Sequence, residues 1–353
     1  MMAPDQIVAW AGLVIGLAFG VCGQITGFCL KRGLAGWWVE GEGTKIRALG
    51  LALAVALVGA QALDAAGLVA LRTSLYMQPE ISVLTLAAGG VLFGYGMVMA
   101  NGCGARALVL LGSGNLRSFV VLVCLGIAGA ATLTGLVAPL RTAMQSVATL
   151  PAPVSPASLP AWLATAGLDG TVARWLVVAL MSGGLMAFAF LHAPFRKDAK
   201  AMASGFIVGL LVVMGWYATG VLGADDFDPA ALESLTFIAP VANTINFLML
   251  ATGFRLSFGV AVVIGVFLGA LGSALVTRTG KLEGFTRPGS MLRYMGGGTL
   301  MGLGGAMALG CNIGQGLTGL STLALGSFIA SGGILLGAWF ALRGPGRLPA
   351  PRP

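Results

Sequence analysis

Eight stretches without Asp, Glu, Lys or Arg constrain this chain more than any other feature: residues 6–30, 81–105, 118–140, 175–195, 201–224, 234–254, 256–277 and 294–342. Most reach the roughly 20 apolar residues that cross a bilayer as a helix. A chain of 353 residues that is 57% hydrophobic and 9% charged cannot be a soluble domain, whose charged share is about 25%. It reads as an all-α polytopic membrane bundle, with residues 1–353 forming one membrane domain.

Nine crossings are expected, near residues 7–29, 48–71, 81–101, 118–138, 173–194, 202–222, 257–277, 291–309 and 326–342. Two are interrupted, by Asp64 and by Arg293. Residues 240–253 carry Asn243, Thr244, Asn246 and Thr252 and are too short and polar to face lipid. They are expected to dip into the membrane and return, with Asn243 and Asn246 lining a cavity or capping broken backbone. No Lys or Arg precedes the first crossing, so it lacks the basic region of a cleaved signal peptide and is expected to be retained.

Basic residues then sort by loop. Lys31, Arg32, Lys45 and Arg47 fall on one side, with Arg196, Lys197, Lys200, Arg278, Lys281, Arg287 and Arg293, the tail residues Arg343, Arg347 and Arg352, and Arg106 and Arg117. Arg72, Arg141, Arg174 and Arg255 fall opposite. Cytoplasmic loops carry the excess, which puts the tail 343–353 in the cytoplasm and the N-terminus outside. Asp225, Asp226 and Asp228 fall outside, as do the Pro-rich residues 151–160, read as a solvated linker. This sorting explains the net charge of +8 without a nucleic-acid partner. With His192 alone, no CxxC and no HExxH, the chain lacks the usual metal sites. No cofactor is expected, and without a GxxxxGK[ST] loop direct ATP-driven pumping is not expected either.

The chain also resembles itself. Gly94, Gly96, Met99, Ala100, Gly102 and Cys103 match Gly302, Gly304, Met307, Ala308, Gly310 and Cys311, all displaced by 208 positions. Gly16, Thr26 and Gly27 match Gly209, Thr219 and Gly220, and Gly50 matches Gly259. The expected organisation is a first repeat over 7–138, a linker with a central span over 139–201, and a second repeat over 202–342. An odd number of crossings between the copies inverts one of them, a transporter architecture with its site near the midplane.

Two glycine-broken loops stand at matching places: Asn101-Gly-Cys103-Gly-Ala-Arg106 and Gly310-Cys311-Asn312-Ile-Gly314-Gln315-Gly316. Irregular backbone at membrane depth needs protein or a water-filled cavity to satisfy it. Each break is expected to start a short helix, over 107–112 and 317–325, whose N-terminus favours an anion. A protonated thiol is a weak donor but a polarizable neighbour for a large sulfur atom. The candidate binding residues are Cys29, Cys103, Cys311, Asn101, Asn312, Gln315 and Arg106. The bland alternative is packing, with Cys as a small hydrophobe; it is adopted for Cys22 and Cys124. Arg106 either steers anions or follows the topology rule.

Gly27-Phe-Cys29, the run from Gly94 to Arg106, Thr236-Phe-Ile-Ala-Pro240 and the run from Gly310 to Gly319 together resemble the motifs of the YeeE/YedE family of sulfur-transport membrane proteins. The resemblance implies an hourglass-shaped carrier in a bacterial inner membrane that takes up thiosulfate. It also implies three pathway cysteines handing the ion along through S–H···S contacts, at Cys29, Cys103 and Cys311. A small cytoplasmic sulfurtransferase is an implied partner, and some relatives are linked to selenium. The first motif departs from the family pattern: Gln24-Ile-Thr-Gly27 precedes Cys29 where an Arg-rich turn is usual, and Cys22 is the alternative thiol. The expectation is therefore a thiosulfate permease and not an enzyme. The rival is a membrane thiol relay working through persulfides or disulfides.

Overall fold

A computed structural model describes residues 4–348 except 152, 153, 155, 166, 226–229, 254, 286 and 287. Asp226, Asp228, Arg287, Arg352 and part of the Pro-rich stretch lie outside the described residues. In chain order the helices are α1 (Pro4–Thr26), α2 (Leu30–Ala35), α3 (Thr44–Ala65), α4 (Val83–Met99), α5 (Gly104–Gly112), α6 (Leu116–Leu133), α7 (Ala138–Ala148) and α8 (Leu159–Ala164). They continue as α9 (Gly170–Phe190), α10 (Ala193–Lys197), α11 (Ala199–Tyr217), α12 (Ile238–Met249), α13 (Phe258–Val276), α14 (Pro288–Met307) and α15 (Leu325–Leu342). Among the described residues one small sheet pairs β1 (Glu80–Ser82) with β2 (Thr149–Pro151). The protein is an all-α, multi-pass membrane bundle.

Among the described residues eight helices are long and apolar enough to cross a membrane. The remaining expected crossing, at 291–309, corresponds to α14, which has the length at 20 residues but carries Arg293 and many glycines in place of apolar side chains. The dip expected at 240–253 is α12, 12 residues long. Asn243 on it is exposed, and neither Asn243 nor Asn246 lines a described cavity.

The glycines explain which helices meet. α1 packs against α13 and α11 against α3; α4 packs against α15 and α14 against α6. A methyl group on Gly16 would stand 2.3 Å from the Val262 carbonyl oxygen, and one on Gly209 2.6 Å from that of Ala52. One on Gly94 would stand 2.1 Å from the Ile334 oxygen, and one on Gly302 2.4 Å from that of Leu125. Bare backbone is what lets these helices touch without a driving force from water. α9 stands apart, packed mainly on α3, with exposed Trp175, Leu176, Leu180 and Met186.

The loops collect at two ends. At the basic end, Lys281 and Glu283 donate backbone N–H groups to Ser113 and Gly114, and Leu116 donates to Glu283. At the opposite end the Pro-rich stretch is more than a solvated linker. Ala157 and Ser158 are buried, Leu325 donates to the Ala157 carbonyl and Leu159 to that of Leu323. The chain there closes over the loop after Cys311.

Candidate functional site

Three helix breaks bring the candidate cysteines into the interior. α1 stops at Thr26 because Gly27 turns the backbone left-handed at φ +68°, and Cys29 then caps α2. α4 stops at Asn101, itself left-handed at φ +60°, and Cys103 caps α5. α14 stops before Leu309 and Gly310, both at positive φ. Beyond Cys311 the chain forms a six-residue π-helix over Gly314–Gly319, not the helix expected over 317–325. The helix expected at 107–112 begins earlier, at Gly104.

Cys29, Cys103 and Cys311 are all buried and free of disulfides. The Cys29 and Cys103 side chains neighbour each other, and the backbone N–H groups of Lys31 and Arg32 lie beside the Cys29 sulfur. Cys103 receives the N–H of Arg106 and lies within electrostatic reach of Cys311. The Cys311 sulfur accepts the Gly314 N–H at 3.3 Å, with the Ile313 and Phe237 N–H groups and the Thr236 hydroxyl nearby. Each sulfur thus lies beside backbone N–H groups of the kind that attract an anion. Cys22, the alternative first thiol, lies beside Thr26. Fully buried Phe93, Met97, Leu125, Phe237, Ile238 and Met301 fill the bundle interior.

On the basic side of the Cys29–Cys103 pair lies a cavity of about 260 Å³ lined by Arg32, Asn101, Arg106, Asn115, Arg117 and Glu283, among others. The Asn101 Oδ1 accepts from Lys31 Nζ at 2.6 Å. Arg106 is buried and donates from Nη1 to the Gly23 carbonyl at 2.9 Å, tying α5 to α1 while leaving guanidinium donors toward the cavity. On the Cys311 side a second cavity of about 350 Å³ is lined by Tyr76, Glu80, Arg141, Gln145, Gln315 and Ser327, among others. Gln315 donates from Nε2 to the Ala308 carbonyl at 2.6 Å. Its Oε1, the Ser327 hydroxyl and the Arg141 Nε are buried without a partner. Such atoms are costly unless something else meets them.

Asn312 is placed differently. Both ends of its buried amide lack partners, and it faces an apolar groove of about 240 Å³ between Leu49, Leu53, Leu185, Phe188 and Leu335. The seven candidates therefore divide: Cys29, Cys103, Asn101 and Arg106 cluster toward the basic end, Cys311 and Gln315 toward the other, and Asn312 opens sideways. Sequence reasoning missed Tyr76, whose hydroxyl would stand 3.5 Å from a methyl group on Gly314, and it read Lys31 only as a topology marker. Thr236 had one signal, its place in the motif ending at Pro240.

Two donor-lined cavities thus approach the cysteines, one reaching Arg106 near Cys103 and the other reaching Gln315 near Cys311. Donors in both could take an anion, and among the described residues no group of three or more His, Cys, Asp or Glu could hold a metal ion. A family model described as sulphur transport matches residues 25–340. The chain is 26% identical over 340 residues to the Thiosulfate transporter TsuA of Escherichia coli (strain K12), covering 94% of this chain and 93% of that protein. It is 25% identical over 337 residues to the Thiosulfate transporter TsuA of Spirochaeta thermophila (strain ATCC 700085 / DSM 6578 / Z-1203), covering 94% and 97% respectively.

Proposed function

The chain belongs to the sulphur transport (YeeE/YedE) family, and from that premise we propose that it takes up thiosulfate, or a closely similar sulfur oxyanion, past Cys311, Cys103 and Cys29 in that order. The observation that carries this reading is the burial of three free cysteines with donor-lined cavities reaching Arg106, beside Cys103, and Gln315, beside Cys311. Thiosulfate has a hard end and a soft end. Its oxygens suit Arg106, Arg141 and backbone N–H groups, whereas its terminal sulfur suits a polarizable S–H. A thiolate would repel the dianion, so the thiols work protonated and form no covalent bond with the ion.

The basic end faces the cytoplasm of a bacterium, the membrane is the inner one, and the N-terminus lies outside. Thiosulfate leaves the basic cavity for assimilation, where a small cytoplasmic sulfurtransferase is a suitable acceptor. The two halves are inverted repeats. The supporting contacts come in equivalent pairs, Gly16 on Val262 with Gly209 on Ala52, and Gly94 on Ile334 with Gly302 on Leu125. An inside-negative potential opposes a dianion by about 2.3 kcal/mol per charge per 100 mV, so accumulation requires coupling or a sink.

The test is radiolabelled thiosulfate uptake into proteoliposomes by the wild type and by Cys29→Ala, Cys103→Ala and Cys311→Ala. Each variant is expected to lose more than about nine-tenths of the flux, a barrier increase of at least about 1.4 kcal/mol. Wild-type flux in all three removes the thiol path. Mass spectrometry of the thiols after exposure to substrate distinguishes the relay, which leaves persulfides or mixed disulfides.

A further inference from the structure

The loop between α13 and α14 is strapped to the corner between α5 and α6, beside the basic cavity. Lys281 and Glu283 donate backbone N–H groups to the Ser113 and Gly114 carbonyls at 3.0 and 3.2 Å, and Leu116 donates back to the Glu283 carbonyl at 2.9 Å. Arg117 adds a bond from Nε to the Gly284 carbonyl at 2.8 Å. Gly114 permits the approach: its backbone is left-handed at φ +95°, and a methyl group there would stand 2.8 Å from the Lys281 carbonyl oxygen. The strap fixes one side chain in particular. Glu283 Oε2 accepts from Asn115 Nδ2 at 2.8 Å, while Asn115 is itself held by its Oδ1, which accepts the Ser118 N–H at the start of α6 at 3.3 Å.

Glu283 is out of character with its surroundings. The charged residues lining the cavity are Arg32, Arg106, Arg117 and Glu283, and Lys31 bonds Asn101 on the same wall. An acid that served to neutralise these cations would pair with one of them. Among the described residues Glu283 forms no ion pair; its side-chain partner is a neutral amide, and the residue is exposed. Its charge is therefore left to act on whatever enters the cavity.

We propose that Glu283 is a release residue, a tethered anion that opposes the carried anion in the basic cavity and so empties it. The proposal rests on the thiosulfate reading. An ion drawn past Cys103 toward Arg106 and Arg32 would linger if those charges stood alone, and a path conducts only where each site binds well enough to be entered and weakly enough to be left. A carboxylate in the same cavity lowers the attraction for a dianion through space. It does so at the exit and leaves the cavity on the Cys311 side untouched. Glu283 thus works as a positioning residue, setting how long the ion stays without being one of its ligands.

Full-length protein tests this by equilibrium binding of radiolabelled thiosulfate in detergent and by initial uptake rates in proteoliposomes. Glu283→Gln keeps an acceptor for Asn115 and loses the charge, whereas Glu283→Asp keeps the charge and is too short for the bond; on an exposed residue neither change threatens the fold. Glu283→Gln is expected to bind thiosulfate at least about fivefold more tightly and to lower the maximal uptake rate by a similar factor, as removal of a unit charge facing a dianion requires. Both changes are expected to fade as ionic strength rises from about 0.01 M to about 1 M, where screening shortens from about 30 Å to about 3 Å. Glu283→Asp is expected to stay within about twofold of the wild type in both assays, because the charge remains. Unaltered affinity or rate in Glu283→Gln, changes that ignore salt, or a larger defect in Glu283→Asp than in Glu283→Gln each overturns the proposal and makes the residue a plain tie between the strap and α6. Wild-type protein that neither binds nor carries thiosulfate overturns the thiosulfate reading, and this one with it.

Discussion

Gly94→Ala and Gly302→Ala probe the bundle where its helices come closest. A methyl group at residue 94 would lie 2.1 Å from the Ile334 carbonyl oxygen and one at residue 302 would lie 2.4 Å from that of Leu125. Real side-chain carbons essentially never approach below 3.0 Å, so α4 and α15, or α14 and α6, must separate by most of an ångström. The obstructing atom is backbone and cannot swing aside. Separation forfeits dispersion contacts along the whole seam, and overpacking of this kind costs about 1–3 kcal/mol. Alanine recovers up to about 1 kcal/mol through its better helix propensity, which must be allowed for. Gly183→Ala supplies the control: a methyl group there meets nothing within 4 Å, so it keeps the propensity gain without the clash.

Thermal unfolding of the three purified variants in one detergent reads the difference. Gly94→Ala and Gly302→Ala are expected to melt below the wild type by similar margins, and Gly183→Ala at or above it. Gly94→Ala as stable as Gly183→Ala would refute the close-contact reasoning. A loss at residue 94 without one at residue 302 would break the equivalence of the two halves, because those glycines occupy matching places in the proposed repeats.

Four single side chains carry further expectations. Asn312→Leu removes an amide whose nitrogen and oxygen both lack partners, so stability should stay level or rise while thiosulfate uptake falls at least about tenfold, about 1.4 kcal/mol; a matching loss of stability makes the amide structural. Arg106→Met removes a charged hydrogen bond to the Gly23 carbonyl, which still accepts the Gly27 N–H, at a cost of about 1.5–3 kcal/mol, and should lower uptake even at saturating thiosulfate; Arg106→Lys restores charge but not the fork and should rescue only part, measured by the same assay. Asp64→Asn breaks the 3.0 Å pair with Arg174 but keeps the acceptor for the Leu71 N–H, and a partly exposed pair of this kind should cost less than about 1 kcal/mol in thermal unfolding. Glu233 binds its proton more tightly folded than unfolded, so its share of stability declines as pH rises from about 4.5 through about 7. Glu233→Gln should therefore flatten the melting temperature against pH over that interval.

The parts of this protein that were legible in its sequence are those set by a single local property. Apolar blocks mark crossings because unpaired polar groups are too costly in lipid, and Gly27 and Gly310 mark breaks because the backbone there takes a positive φ. The pairing of Cys29 with Cys103 is of another kind. It depends on α5 lying against α1, an arrangement held by the buried Arg106 bond to Gly23, and no local pattern encodes a contact between segments so far apart. Tyr76 was invisible for the same reason. It is an ordinary polar residue in a connecting segment, and its position matters only because the fold brings it toward the loop after Cys311.

Cys29 is where the two levels meet. Matching the halves leaves it without a counterpart, since its equivalent, Leu222, ends a π-helix at the opposite end of the bundle. Lys31, two residues on, then bonds Asn101 beside Cys103, again with no equivalent in the second half. Under the proposed reading a symmetric pair of thiols would hold an anion equally from either side. The added thiol, with Lys31 and Arg106 beside it, places more donors at the basic end of the proposed path, and an ion that has passed Cys311 would meet its strongest electrostatic pull farther in. Exchanging the asymmetry, with Cys29→Leu and Leu222→Cys in one chain, should slow inward flux more than outward flux from preloaded vesicles under a fixed membrane potential. Equal slowing in both directions would mean that the extra thiol sets only the affinity of the path and has no part in its direction.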